Sequence, residues 1–299
     1  MRSNSLASSL HYLGKETKKG RPTFIYSRAR EQAEPAAQHM NVLITGGNGF
    51  LGKYVRRKLE TDGYEVTSVD IETTTPGTEC LDVRDFTQVS LLFAKVKPKI
   101  VVHLAALTGS SGKGGGAESV KAPFDYFKVN VMGTLNVFEA CRQNDIGRVI
   151  HMSSFSPYGV TKETITEETP FNPTNPYGFS KACSELTARC YATGYGIKTL
   201  ILRSPLICGE GQKERNALRE FVSSAVQGTP ITILGEGKHL REWLHPEDVA
   251  DAIARGIHYL DAMNDSFEVF VLGNRPISMN DLAQLSPYAL GGTPQTVSR

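Results

Sequence analysis

Tyr177 and Lys181 are the pair whose types and spacing can do chemistry. They stand in Asn175-Pro176-Tyr177-Gly178-Phe179-Ser180-Lys181. Asn175 is a good N-cap and Pro176 a good first helical residue. The spacing therefore puts phenol and ammonium one turn apart on one helix face. A phenol ionises near ~10 in water and is a poor base at neutral pH. A neighbouring cation favours the phenolate and draws that value down. Tyr177 could then take the proton of a hydroxyl, or return one to a carbonyl oxygen. On an ordinary helix the same spacing is only a surface pair, so its surroundings decide.

A serine-bearing turn, Ser153-Ser154-Phe155-Ser156-Pro157-Tyr158-Gly159, ends the predicted strand that holds Val149-Ile150-His151-Met152. In an open parallel sheet, ligands bind beyond the carboxyl ends of the strands. A hydroxyl there can hold a substrate oxygen beside Tyr177; the other reading is a plain serine-rich turn.

A partner for that chemistry is written near the start of the ordered pattern. Thr45-Gly46-Gly47-Asn48-Gly49-Phe50-Leu51-Gly52 follows the apolar Asn41–Ile44 and precedes Lys53–Leu59. This is strand, glycine turn, helix. Gly46, Gly49 and Gly52 allow a tight turn, and the N–H groups opening the helix at Phe50 and Leu51 suit a pyrophosphate. Asp70, at the end of the next strand, is placed to accept hydrogen bonds from a ribose diol. Its charge opposes a 2′-phosphate and no Arg directly follows it, so NAD is favoured over NADP. Read structurally, Asp70 is only a strand-end cap. Asp82 could accept from the adenine amino group with Val83 lining the base, or it could cap the helix at 85–96. Leu104, Ala105 and Ala106 end another strand; Ala105 and Ala106 are small enough for a cofactor to approach, or for tight helix packing. An oxidised nicotinamide beside Tyr177 would add a second positive charge favouring its phenolate.

The positioning elements alternate. Strands are predicted at 41–45, 65–70, 79–82, 100–104, 148–153 and 198–202, and helices at 50–61, 85–96, 120–144 and 176–193. That order predicts an α/β, doubly wound, Rossmann-type parallel sheet. Residues 40–203 form the predicted NAD-binding domain. Residues 204–299 form a small substrate lobe interleaved with late elements of the main sheet, with helices at 216–227 and 246–258. The final stretch, 291–299, has no helix or strand pattern.

Residues 1–39 are serine-bearing and basic, with no sustained apolar period, and are expected to be a disordered extension or an over-long gene start; the other reading is an organelle-targeting segment. A net charge of +2 over 299 residues argues against general nucleic-acid or membrane-surface binding. No apolar run reaches the ~18 residues of a membrane span. The five cysteines lack metal-ligand spacing and read as reduced thiols of a cytoplasmic protein, with no metal site.

From about Met40 to Leu285 the chain resembles the extended short-chain dehydrogenase/reductase family, in its NAD-dependent epimerase/dehydratase branch, and is similar to UDP-sugar 4-epimerases. The stretches that carry the resemblance are Thr45–Gly52, Asp70, Asp82-Val83, His103–Ala106, Asn130–Thr134, Ser153–Gly159, Pro176–Lys181 and Arg241–Ala250. It implies Tyr177 as base and acid, and Lys181 as the residue that binds nicotinamide ribose and tunes it. The catalytic hydroxyl lies four residues before the tyrosine of the Tyr-Gly turn, which selects Ser154 over Ser153. Asn130 supports the site, and Arg241 contacts substrate phosphate. The long helices 120–144 and 176–193 would form a homodimer bundle.

The chain departs from the family's pattern in four places. The 4,6-dehydratases carry an Asp-Glu pair just before the Tyr-Gly turn; here Phe155, Ser156 and Pro157 stand there, so dehydration is not expected. Leu206 replaces an Asn that helps hold the nucleotide diphosphate. The loop Gly109–Gly116 is glycine-rich enough for a mobile substrate lid, or is a surface insertion. The C-terminal lobe is short, which fits a small or partly exposed substrate or a truncated product. The expectation is an NAD-dependent epimerase acting on a nucleotide sugar. The alternatives are a secondary-alcohol dehydrogenase or ketone reductase on a less polar substrate, and a silent nucleotide-binding protein.

Overall fold

The computed structural model describes residues 40–108, 117–161, 163–212, 216–233, 235–289 and 296–298. The segment 1–39 and the loop 109–116 lie outside these residues. The first half runs β1 (Asn41–Thr45), α1 (Phe50–Thr61), β2 (Glu65–Asp70), β3 (Thr78–Cys80), α2 (Phe86–Val96), β4 (Ile100–His103), α3 (Ala117–Lys121), α4 (Pro123–Tyr126), a π-helical turn (Phe127–Met132), α5 (Gly133–Gln143) and β5 (Arg148–Ser154). After a short turn at Ser156–Tyr158 come α6 (Pro176–Tyr195), β6 (Lys198–Ser204), β7 (Leu206–Ile207), α7 (Ala217–Gln227), β8 (Ile231–Ile233), β9 (Leu240–Arg241), β10 (Trp243–Leu244), α8 (Pro246–Ala262), β11 (Phe267–Val271), β12 (Ile277–Ser278), α9 (Met279–Ala289) and β13 (Thr296–Ser298).

Seven strands form one sheet in the order β11-β6-β5-β4-β1-β2-β3, and every neighbouring pair is parallel. The chain winds outward from β1 to β3, then crosses back to β4 on the other side of β1. That reversal is the topological switch point, where a crevice opens at the strand ends. Successive strand residues point to opposite faces. Val42, Ile44, Val102, Ile150 and Leu200 pack with Val55 and Leu59 of α1 and with Val249, Ile253 and Ile257 of α8. Leu43, Val101, Val149 and Ile201 pack the other face with Val89 and Phe93 of α2, Val137 and Phe138 of α5 and Ala188 of α6. Helices thus cover both faces, and the central strands are largely apolar because neither side meets water.

A separate cluster of Phe221, Ile231, Ile233, Met279, Leu282 and Ala283 joins α7, β8 and α9. In the later part of the chain, α8 packs on the main sheet and β11 extends it beside β6.

The structure corrects several expectations. The single helix predicted at 120–144 is divided: Pro123 opens a new short helix, and a π-helical turn precedes α5. Proline lacks the N–H that a continuing helix needs, which explains the division. The strand predicted at 79–82 occupies 78–80. The cap of α2 is Asp85, whose carboxylate accepts from Gln88 N at 3.1 Å, so Asp82 is not the cap. The tail read as patternless contains β13, which pairs in parallel with β8. Among the described residues, no helix is long and apolar enough to cross a membrane, and no group of three or more His, Cys, Asp or Glu could hold a metal.

Candidate active site

The three spaced glycines of the turn have different reasons to be glycine. Gly46 has φ +74, and a Cβ there would lie 2.7 Å from Ala105 N. A Cβ on Gly52 would lie 2.2 Å from Gly46 O. The fold itself requires both. A Cβ on Gly49 would meet, among the described residues, Gly46 O alone, at 3.1 Å. Space at Gly49 is kept clear on the side away from the protein. Gly49 is also the N-cap of α1 and has no side chain to accept the first-turn N–H groups, which include those of Phe50 and Leu51. The result is a concave, electropositive backbone seat for an anion.

Asp70 stands beside this seat. Its Oδ2 accepts from Asn48 N at 3.0 Å and its Oδ1 from Glu72 N at 3.2 Å. Each carboxylate oxygen retains a lone pair for a ligand hydroxyl. Asn48, which sequence reading passed over, donates to Thr74 Oγ1 at 2.7 Å and accepts from Thr75 Oγ1. It draws the β2–β3 loop onto the glycine turn. Asp82 is engaged by Arg84, whose Nε lies 2.9 Å from both carboxylate oxygens and whose Nη2 lies 2.5 Å from Oδ2. These hydrogen bonds hold the Asp82 carboxyl below its usual range. Val83 is buried against Gly133, and its carbonyl accepts from Asn136. Leu104 and Ala105 seat Gly46, since Leu104 N donates to Thr45 O and Ala105 N to Thr45 Oγ1; Ala106 follows them, half-buried.

On the other side of the switch point, α6 starts as its sequence dictates. Asn175 Oδ1 accepts from Gly178 N at 2.9 Å, and Pro176 takes the first turn. A Cβ on Gly178 would lie 2.5 Å from Ser156 O, so the start of α6 presses on the serine turn. That approach brings the Tyr177 and Ser154 segments together. The two serines differ. Ser153 is buried and its hydroxyl donates to the Glu185 carboxylate. Ser154 is half-buried; its Oγ accepts from Ser156 N at 3.1 Å and meets Ser156 Oγ at 3.3 Å, a long and easily exchanged bond. The Tyr177 ring is edge-on to Tyr126 at 6.1 Å between centroids. Lys181 is 3% exposed and donates to Met152 O at 2.7 Å. Burial lowers its pKa to about 8, against the opposing pull of Glu185.

Asn130 is buried in the π-helical turn. Its side chain bonds both backbone groups of Leu107 and donates to Ser180 Oγ at 2.9 Å. Arg241 stands apart from this group, exposed in β9 opposite Ile277, with Nη1 donating to Leu240 O at 3.2 Å. Leu206 is partly exposed in β7. Sequence reading gave no role to the buried polar residues His103, His151, Ser184, Glu185 and Arg203, although His103 opens one of the stretches that carry the resemblance. Only their polarity within apolar elements could have flagged them.

A doubly wound sheet with an anion seat at its switch point, facing a Tyr–Lys helix and a serine turn, defines a nucleotide-dependent redox fold. Residues 42–273 match the NAD dependent epimerase/dehydratase family, and the chain belongs to that family as an enzyme. It is 31% identical over 230 residues to a low-salt glycan biosynthesis protein of Haloferax volcanii, covering 72% of each chain. It is 29% identical to a putative UDP-glucose 4-epimerase of Methanocaldococcus jannaschii, covering 84% of this chain and 82% of that one. Among solved structures it is similar to the UDP-glucose 4-epimerase of Thermus thermophilus in complex with NAD, with TM-score 0.74, 28% identity and 86% of each chain covered.

Proposed function

We propose that the chain is an NAD-dependent epimerase of a sugar nucleotide, acting by transient oxidation of a ring hydroxyl. The observation that carries the reading is the meeting of the Ser154 turn with the Tyr177–Lys181 helix, across the switch point from the glycine seat. NAD fits this seat on two counts: Gly49 keeps its outer side clear, and Asp70 holds lone pairs beside it. Gly46, Gly49 and Gly52, with the N–H groups of Phe50 and Leu51, would hold the pyrophosphate, and Asp70 the adenosine ribose. Val83, Leu104, Ala105 and Ala106 would line the cofactor's path, and Lys181 would reach the nicotinamide ribose. The Asp82–Arg84 pair would border the adenine.

Bound NAD supplies a reversible hydride acceptor. Tyr177 Oη removes the proton of the substrate hydroxyl as that carbon is oxidised. Ser154 Oγ donates to the same oxygen and holds it as it becomes a carbonyl. The Lys181 ammonium favours the phenolate of Tyr177. The keto sugar then turns over in the pocket, and Tyr177 returns the proton when the carbon is reduced on its other face. Arg241 would meet the substrate's phosphate from the rim of the lobe. The absence of a carboxylic pair at Phe155-Ser156-Pro157 favours epimerisation over dehydration, which needs an acid and a base for loss of water.

Leu206 favours a second reading, a secondary-alcohol dehydrogenase or ketone reductase on a less polar substrate. Purified protein offered sugar nucleotides and secondary alcohols separates the two: an epimerase recycles its cofactor, whereas a dehydrogenase accumulates soluble NADH. Tyr177→Phe should lower turnover about 10²- to 10⁴-fold and leave NAD affinity within about threefold, since only the proton-transfer oxygen is removed. Turnover that survives this change would sink the mechanism. Gly49→Ala should fold normally and weaken NAD about tenfold or more, a loss of ~1.4 kcal/mol. Gly52→Ala should fail at folding itself. Equal NAD affinity in Gly49→Ala and wild type, by titration calorimetry, would remove the pyrophosphate from this seat.

A further inference from the structure

The site's two halves are tied by a chain of side chains that the mechanism does not use. Thr45, His103 and His151 lie in one row across β1, β4 and β5, just beneath the strand ends. His103 is 1% exposed. Its Nδ1 lies 2.7 Å from Thr45 Oγ1, and its Nε2 lies 3.0 Å from Thr134 Oγ1. The protons on this chain can be assigned by elimination. Thr134 Oγ1 donates its single proton to Asn130 O at 2.6 Å, so it must accept from His103 Nε2–H. Nδ1 is then bare and accepts from Thr45 Oγ1, which itself accepts from Ala105 N at 3.3 Å.

The chain continues toward the base. Asn130 Nδ2 donates to Ser180 Oγ at 2.9 Å, and Ser180 Oγ donates to Tyr177 O at 2.8 Å. One end is the residue before Gly46; the other is the backbone of Tyr177. The π-helical turn lies in this link: Gly133 N bonds to Lys128 O, and Asn130 of that turn offers its carbonyl to the hydroxyl of Thr134 in the first turn of α5.

We propose that His103 is a positioning residue: a neutral imidazole strut that sets the separation between the glycine seat and the corner carrying Tyr177, so that cofactor and base meet in register. The proposal rests on the functional reading above. An apolar core residue could fill the same volume but could not span it, since both ring nitrogens bond to different elements and each partner hydroxyl is bonded onward. Burial, reinforced by the nearby Lys181 charge, lowers the His103 pKa to about 3, so the strut stays neutral across the working pH range. His151 stacks on it, with centroids 5.1 Å apart, and its Nε2 reaches Ser184 Oγ at 3.0 Å. Ser184 Oγ donates to Lys181 O, so the neighbouring ring ties the Lys181 turn in the same manner.

The experiment uses Thr134, where hydroxyl and methyl can be removed separately. Thr134→Ser keeps the strut and loses the methyl; Thr134→Val keeps the shape and loses the hydroxyl. A strut predicts NAD affinity and turnover within about twofold of wild type for the Ser variant, and losses of about tenfold in both for the Val variant. A merely packed core predicts the reverse order. The Ser variant impaired as much as the Val variant, or the Val variant equal to wild type, would overturn the proposal. A second readout needs no cofactor. In ¹⁵N-histidine NMR, with His103→Gln for assignment, His103 should be a single Nε2–H tautomer in wild type and Thr134→Ser, and a mixture in Thr134→Val. Failure of wild type to bind NAD would overturn the functional reading, and the tautomer measurement would still decide the strut. A single tautomer in all three proteins would overturn it.

Discussion

Arg203→Met should bring the protein close to unfolding, whereas Arg203→Met combined with Glu185→Leu should restore much of its stability. Both groups are buried, with side chains 8% and 3% exposed. Arg203 Nε reaches the two Glu185 oxygens at 3.2 and 3.0 Å, and Nη2 reaches Oε2 at 2.8 Å. Nη1 donates to Tyr158 Oη at 2.7 Å and to Glu167 O at 3.1 Å. The guanidinium also lies over the Tyr158 and Phe171 rings, at 5.2 and 4.8 Å. Removing Arg203 alone leaves the carboxylate buried with Ser153's hydroxyl, a loss on the order of 3–5 kcal/mol. Against a total of ~5–15 kcal/mol that is a large share, and at ~2–4 °C per kcal/mol it lowers Tm by roughly 6–20 °C. Removing both charges eliminates the unpaired ion, leaving the lost bonds to Tyr158 and Glu167 as the remaining deficit. Thermal unfolding of the two singles and the double closes the cycle. A double variant as unstable as the sum of its singles would show that the pair is not the unit that matters.

That pair also shows where the sequence stops being readable. Glu185 lies one turn beyond Lys181, and Arg203 pairs in register with Ser153, the neighbour of Ser154. Neither alignment can be read from local spacing, because β5, β6 and α6 meet only in the folded sheet. The same holds for His103, which in Ile100-Val101-Val102-His103 reads as one more buried residue. What was legible is local: the glycine turn, the Asn175-Pro176 start of α6, and the alternation of strand and helix. Chain-local physics fixes each of these within a few residues. The β11 strand escaped because it pairs with β6 across a long intervening segment. The Asp82 cap failed for a local reason, since Asp85 directly precedes Phe86 and takes the capping geometry. Candidate site residues rest on such local signals; the buried polar layer behind them depends on contacts between distant segments.

Lys181→Met should abolish turnover and make the protein more stable at pH 7. In wild type the ammonium is buried, with Met152 O as its acceptor at 2.7 Å, and near two stacked imidazoles kept neutral by burial. Burial brings its pKa from 10.5 to about 8. The sign follows from linkage. Below pH 8 both folded and unfolded chains carry the proton, and the folded state bears the whole penalty, about 3 kcal/mol for a fall from 10.5 to about 8. Between pH 8 and 10.5 the folded chain releases its proton while the unfolded chain keeps it, so stability rises with pH. Above 10.5 the penalty is gone. The Met side chain removes the charge at all pH values but leaves Met152 O without its donor, which costs about 1–2 kcal/mol. The net gain at pH 7 is therefore on the order of 1–2 kcal/mol, or a few degrees in Tm. The difference in Tm between variant and wild type should shrink from pH 8 to pH 10.5, which isolates Lys181 from other groups titrating there. A Met variant less stable than wild type at pH 7, or a difference independent of pH, would mean that the buried ammonium is not strained. On the proposed mechanism, the fold gives up stability to keep a buried ammonium one helix turn from Tyr177, where it would favour the phenolate.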